Sequence, residues 1–417
     1  MTTGDSWIPI PADSGFGLDN LPLGIGRPTG GHAHAYIAVG DHALDLAAVA
    51  ATGLLDTEPI LLNLWYLNSL LREGNDVVDA LRRRVAELLT DASVETRLAH
   101  TVVRRDELTM GTPVRVHDYV DFYSSLHHAT NLGRILRPGT EPLPPAWRHL
   151  PIGYHGRAGT IVATGEEIVR PSGLHLVDGA VVDGPTDQLD IELEVGFVIG
   201  RPNERGAPIA IDRAGEHIAG FCLVNDWSAR DVQAFEYQPL GPFLGKSFAT
   251  SMSPWLVTLD ALAPFRVAGP PQTPAPAAYL RASDPWGLDL HLEVTLSSAA
   301  MRAAGLADLV VSRTCFADMY WTPAQQLAHS TGNGASTEAG DLFASGTVSG
   351  TEPGSEGSFI ELTWRGERPI ELPDGTTRSF LQDGDRVTLR GWAGGNGGPT
   401  VSLGDVTGTV ALSRGRS

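Results

Sequence analysis

A chain of 417 residues exceeds the usual size of a single core, so two compact units are expected; 42% hydrophobic against 19% charged residues supplies real cores and carries no disorder signature. The formal charge of -19 repels a nucleic-acid backbone or an anionic membrane, so neither is an expected partner. Cys222 and Cys315, alone and far apart, give no disulfide framework, which fits a reducing, cytoplasmic setting.

Along the chain, Met1 to Phe16 is interrupted by Pro9 and Pro11 and lacks the basic and apolar regions of a signal peptide. No apolar run approaches the ~18 residues that span a bilayer. Gly 48 and Pro 29, without low-complexity tracts, indicate many tight turns between short strands, hence a mainly β chain with some helix, an α+β fold. Helical spacing is clearest between Pro59 and Leu89, where Val77, Val78, Leu81, Val85, Leu88 and Leu89 follow an N-cap expected at Asn75. A boundary is placed at Thr112-Pro113, dividing residues 1–112 from 113–417, and no internal repeat is visible.

Beyond the boundary, Asp121 to Asn131 packs a carboxylate, a phenol and two imidazoles into one short segment, with Arg137 just beyond. Either imidazole alone reads most simply as a structural residue, and His127 keeps that reading. Ile191 to Ile199 alternates as a strand with one buried face. On it, Glu192 and Glu194 would share a face about 7 Å apart, either solvated or converging on one cation. Ser228 is read as the N-cap of a short helix with Asp231 in its first turn and Asp226 just outside its start. That helix carries Arg230, Gln233 and Tyr237 as one stripe, which is either a solvent face or a surface for a polar anion. Lys246, enclosed by glycines and apolar side chains, implies an anion nearby.

Leu288 to Leu296 alternates as a second half-buried strand, and Thr322-Pro323 with Gln325 opens a helix that should end before Asn333-Gly334. Phe359 to Trp364 and Val387 to Trp392 complete the expected strands.

Taken together, Asp121-Phe122-Tyr123, His128-Ala129-Thr130-Asn131, Gly153-Tyr154-His155-Gly156-Arg157, Glu192-Leu193-Glu194, Asn225 to Asp231, Gly241 to Phe248 and Ala344 to Thr347 closely resemble the fumarylacetoacetase family. The likeness runs from Pro9-Ile10-Pro11 to Leu381-Gln382-Asp383-Gly384-Asp385. It departs at Leu126-His127, where animal enzymes commonly carry a basic residue and Gln, and at Ala249, which replaces a commoner Gly.

The resemblance implies a homodimer with a small SH3-like amino-terminal barrel and a larger carboxy-terminal β-sandwich roll. By the same likeness, Asp121, Glu192, Glu194 and Asp226 would bind Mg2+ or Ca2+, and Lys246 and Thr250 match positions associated with magnesium. An all-oxygen set suits such hard cations. His128 would be the catalytic base, Glu361 its orienting carboxylate, and Lys246 a stabiliser of developing negative charge. Tyr123, Arg137, Tyr154, Arg230, Gln233, Tyr237 and Thr347 would contact the substrate. The implied reaction is metal-dependent hydrolysis of a carbon-carbon bond in a small dicarboxylate diketone, fumarylacetoacetate, giving fumarate and acetoacetate. The competing readings are an acylpyruvate hydrolase or related 2-oxo acid enzyme, and a non-catalytic calcium-binding β module.

Overall fold

The computed structural model describes residues 6–62, 65–395 and 400–415. Three short strands open the chain, β1 (Leu23–Pro28), β2 (His34–Val39) and β3 (His42–Asp45), paired antiparallel in sequence order. The helical spacing of the next stretch resolves into a single turn at Pro59–Leu61, a short helix Asn68–Arg72 and α1 (Asn75–Thr90); residues 63–64 lie outside the described residues. Val78, Leu81, Val85, Leu88 and Leu89 form the buried face of α1. Its N-cap is Gly74, not Asn75. Asn75 is instead the first helical residue, and its side-chain amide donates to the carbonyls of Gly215 and Ile218 at 2.8 and 2.9 Å, tying the helix to the rest of the chain.

The remaining elements that position the site are β4 (Tyr119–Phe122), α2 (Leu126–Leu136), β5 (Gly153–His155), β6 (Leu193–Ile199), β7 (Ile218–Asp226), α3 (Arg230–Glu236), β8 (Thr250–Met252) and β9 (Trp255–Thr258). They are followed by β10 (Leu290–Ser297), α4 (Pro323–Ser330), β11 (Leu342–Ala344), α5 (Phe359–Leu362), β12 (Arg386–Ala393) and β13 (Val401–Ala411). The helix expected after Thr322 is α4, closed by a reciprocal capping box between Thr322 and Gln325.

The main sheet runs β3-β2-β1-β9-β7-β6-β11-β4-β5, with Val102–Arg104 outside β3 and β8 beside β7. A second sheet orders Leu309–Cys315, β10, β12, β13 and Glu167–Val169. The fold is therefore mixed α+β. The first strands, with Val102–Arg104 beside β3 and Leu108–Met110 beside β1, join the later strands through β1 and β9, and among the described residues no pairing closes them into a barrel.

β6 and β7 are buried on both faces, contrary to the expected half-buried strand. Alternation explains how. Phe221 and Leu223 pack with Leu193, Val195 and Phe197 against Leu292, Val294, Leu389 and Val406 of the second sheet. Cys222 and Val224 face the other way and pack with Leu81, Val85 and Leu89 of α1. A strand enclosed by two layers needs apolar residues at every position, which makes polar residues inside it conspicuous. β10 does alternate at its start, with His291 exposed between buried Leu290 and Leu292.

Two expectations about local structure are overturned by partners distant in sequence. Phe359 to Trp364 is not a strand: the Asp190 carboxylate accepts from the backbone N–H groups of Phe359 (2.6 Å) and Ile360 (3.0 Å), which turns the chain into α5. The helix ends where Trp364 and Arg365 take left-handed φ of 49 and 56. Ser228 does not cap α3; it lies in a two-residue bridge strand with Ala229 and donates to the Asp226 carbonyl, while Asp231 accepts from Thr186 and the Asp187 N–H.

Among the described residues no helix is long and apolar enough to cross a membrane.

Gly346, just past β11, combines φ +77 with a backbone so close that an added Cβ would lie 2.2 Å from the Phe122 carbonyl oxygen. Gly346→Ala should therefore lower unfolding free energy by about 2 kcal/mol or more, measured by chemical denaturation.

Candidate active site

Sheet register assembles the acidic residues. Asp121 on β4 pairs with Ala344 on β11 and with Tyr154 on β5, and Asp226 at the end of β7 pairs with Thr250 on β8. Asp226 shares a face with Val224 and Cys222, and Asp121 shares one with Tyr119, so both project from the side of the sheet that faces the amino-terminal core. Glu192 reaches the same place from the residue before β6, not from within the strand. Asp121, Glu192 and Asp226 are buried, with one oxygen from each inside a 4.8 Å group, the only such group among the described residues. Glu194, on β6, lies outside that group of three; one oxygen accepts from the Gly346 N–H at 3.0 Å and the other is buried without a protein partner.

Carboxylates this close together in a protein interior require compensation. Three buried cations provide it. Lys246 Nζ stands 2.5 Å from both Glu192 Oε2 and Asp226 Oδ2. Arg230 Nη1 is 2.7 Å from Glu192 Oε1. Arg157 Nη2 bridges Asp121 Oδ2 at 2.7 Å and Asp226 Oδ2 at 2.6 Å. Thr250 Oγ1 donates to the remaining Asp226 oxygen at 2.8 Å.

The balance differs from one acid to the next. Burial would raise Glu192, but Lys246 and Arg230 outweigh it and hold the carboxyl below the usual range. Burial pushes Asp121 up to about 6 against the pull of Arg157. Glu194, buried beside Asp121 and Glu192, is driven well above the ordinary glutamate value.

Arg157 is the residue that motif reading quoted without assigning a task. It sits in a left-handed conformation, φ 50, donates through Nη1 to the Tyr154 hydroxyl at 2.8 Å, and lies over the rings of Tyr119 and Tyr154. A non-glycine residue persists in that conformation only where its surroundings impose it, and two buried carboxylates do so here.

Beside the acids, the Ser125 side chain caps α2 by accepting from the His128 N–H, which sets His128 one turn into the helix. His128 Nδ1 lies 2.7 Å from Glu361 Oε2. Glu361 is buried and also accepts from Asn131 (3.0 Å), Ser349 (3.0 Å) and Ser358 (2.7 Å). Burial alone would raise Glu361, but His128 and these donors hold it below the usual range. The Tyr123 ring stands edge-on to His128, centroids 5.3 Å apart.

These groups border one cavity of about 330 Å³, with Asp226, Glu194, Thr250, Arg157 and Glu361 standing behind its lining. Asp121, Glu192, Lys246 and His128 line it, and so do all seven residues expected at the substrate: Tyr123, Arg137, Tyr154, Arg230, Gln233, Tyr237 and Thr347. His127 is half-buried and not among the lining residues. Gln233 accepts from Arg230, and the buried Thr347 hydroxyl has no protein partner. Another cavity of about 350 Å³, near His291, Arg313 and Glu352, holds no comparable carboxylate group.

Sequence models place this architecture. Residues 19–113 match the model described as "Fumarylacetoacetase N-terminal" and residues 118–411 the one described as "Fumarylacetoacetate (FAA) hydrolase C-terminal". The chain belongs to the fumarylacetoacetate hydrolase family. Curated relatives named fumarylacetoacetase include one from Bos taurus, 43% identical and covering 94% of this chain and 95% of its own, and one from Arabidopsis thaliana, 42% identical over 98% of each. A fumarylacetoacetate hydrolase structure from Exiguobacterium antarcticum, 17% identical, covers 94% of this chain and 99% of its own with a TM-score of 0.50, a likeness of fold.

In this member of the family the donors fit a hard divalent cation: they are oxygens from three chain segments, and Glu194 offers a further buried oxygen without a partner among the described residues. Two variants probe the compensation. Arg157→Met leaves two buried carboxylates without their shared partner and should cost about 3–5 kcal/mol in metal-free protein, with divalent cation restoring part of the loss in denaturant titrations. Glu361→Gln tests the second network through pH. A carboxyl depressed in the fold stabilises above its unfolded value and loses that contribution as pH falls through the folded value. The stability advantage of wild type over Glu361→Gln should therefore be present at neutrality and shrink below the ordinary glutamate range.

Proposed function

We propose that this chain hydrolyses 4-fumarylacetoacetate to fumarate and acetoacetate, the last step of tyrosine and phenylalanine degradation, using Mg2+ or Ca2+. The observation that carries the reading is the convergence of the His128–Glu361 pair and the carboxylate group on one cavity lined by cations and hydroxyls. Relatives of about 42% identity named fumarylacetoacetase support the choice of substrate.

Charge accounting favours the same reading. Asp121, Glu192, Glu194 and Asp226, together with Asp190 as the second partner of Arg230, outnumber the buried cations Arg157, Arg230 and Lys246. A divalent cation would offset that excess, and Arg137 adds a positive charge to the cavity lining, so a dianionic substrate can enter a strongly acidic protein. Asp121, Glu192, Glu194 and Asp226 would hold the ion, with Thr250 and Lys246 acting through Asp226 and Glu192. When bound, the cation supplies Lewis acidity that polarises the diketone oxygens.

The chain's own groups perform the proton transfers. Because Nδ1 of His128 is engaged by Glu361, Nε2 is the nitrogen that takes a proton from water. The resulting hydroxide adds to the carbonyl on the fumaryl side. The bond to the acetoacetate carbon then breaks, that carbon keeps the electron pair, and the proton held by His128 passes to it. Lys246 and Gln233 stabilise the negative charge on oxygen, while Arg137, Arg230, Tyr123, Tyr154, Tyr237 and Thr347 orient the two carboxylates and the diketone.

A cytoplasmic homodimer is part of the proposal. Supporting it, the hairpin of Ser172–Val177 and Ala180–Pro185 exposes Leu174, Leu176 and Val181, and the loop after α3 exposes Leu240 and Phe243. The division at Thr112-Pro113 is likewise proposed, supported by two matched segments of which the first ends at residue 113 and the second begins at residue 118. A calcium-binding β module leaves the His128–Glu361 pair without a task.

Ultraviolet absorbance of fumarylacetoacetate, and separately of acetylpyruvate, should be followed before and after chelation and metal readdition. Metal-dependent loss of the first signal alone is expected; turnover of acetylpyruvate alone would instead indicate an acylpyruvate hydrolase. His128→Ala should lower kcat by about 10²- to 10⁴-fold while calorimetric metal binding persists.

A further inference from the structure

The buried carboxylate of Asp190 belongs to neither the metal group nor the base pair, yet it touches the supports of both. It is fully buried, and its two oxygens accept four hydrogen bonds. Oδ1 takes the N–H groups of Ile191 (2.7 Å) and Phe359 (2.6 Å); Oδ2 takes Arg230 Nε (2.8 Å) and the Ile360 N–H (3.0 Å). Four acceptor sites are the full capacity of an ionised carboxylate.

What lies at the other end of each bond gives these contacts their meaning. Phe359 and Ile360 open α5, and the next residue is Glu361, whose carboxylate holds His128. Arg230 lines the cavity; with Nε on Asp190 and Nη1 shared between Glu192 and Gln233, its Nη2 is left without a protein partner. We infer that Asp190 is a positioning residue that locks the substrate-facing guanidinium of Arg230 and the helix carrying Glu361 into one fixed geometry. Substrate orientation and proton transfer are thereby set by the same buried group. This deepens the proposed reaction and rests on it for its catalytic consequence.

Asp190→Asn keeps the shape but can accept through only one oxygen, so Arg230 and α5 can no longer both be held. Expected are a fall in kcat of about 100-fold from misplacement of the base pair and a rise in KM of about tenfold from misplacement of Arg230. A purely structural role would reduce the active fraction and leave KM unchanged. Arg230→Lys, which keeps the charge but removes the Nε bond, is the second variant should Asp190→Asn not fold. Hydrogen–deuterium exchange of residues 358–363 should accelerate in Arg230→Lys although the hydrogen bonds and ion pairs of the Arg230 side chain go to Asp190, Glu192 and Gln233 and not to α5. Unchanged exchange in Arg230→Lys, or unchanged KM in folded Asp190→Asn, overturns the inference. Wild-type protein that fails to cleave the diketone counts against the proposed function, whereas the exchange experiment still decides whether Asp190 couples the two elements.

Discussion

Burial of several acids at one end of a sheet is the constraint from which most of this molecule follows. A lone carboxylate moved out of water is costly, and four near one another would not remain ionised together without cations among them. Arg157, Arg230 and Lys246 are consequently drawn into the interior, each paired to the oxygens at 2.5 to 2.7 Å. The supporting segments are fixed to place those cations, including a left-handed backbone at Arg157. Stability and chemistry are thus coupled: the charges that make the fold demanding are those that make the cavity reactive.

Two networks meet there with different logic. Around Asp121, Glu192 and Asp226, pairing is with the fixed cations Arg157, Arg230 and Lys246, and one oxygen of Glu194 is left over. Around Glu361 every donor is a neutral hydroxyl or amide except His128 itself. The first arrangement suits exchange of a cation or charged ligand; the second suits holding one imidazole in one orientation. Asp190 stands between them.

Legibility in the sequence followed the range of the interactions. α1 was readable from its spacing although its cap, Gly74 in place of Asn75, was not, and α4 was readable from its cap, the Thr322–Gln325 capping box. The acidic and basic residues around the cavity were readable because their types stand in long ordered motifs, and all seven expected substrate residues line one space. α5 was not, since Phe359, Ile360 and Leu362 fit an alternating strand equally well and the Asp190 carboxylate that bends them is far away in the chain. Ser228 failed as a cap for the same reason, with Asp231 committed to Thr186 and Asp187. Arg157 stood in a quoted motif without a role; the signal that could have found it was the charge deficit left by four clustered acids against Lys246 and Arg230 alone.

The continuity of the main sheet has a consequence for how this chain behaves among others. β1 bonds to β9 through Leu23 and Gly24, so the opening meander occupies a flank of the strands that build the cavity. An unpaired strand flank invites addition of a stranger's strand. On this side the amino-terminal layer therefore closes off the β9 flank and leaves Val102–Arg104 as the border strand, whose residues do not line the cavity.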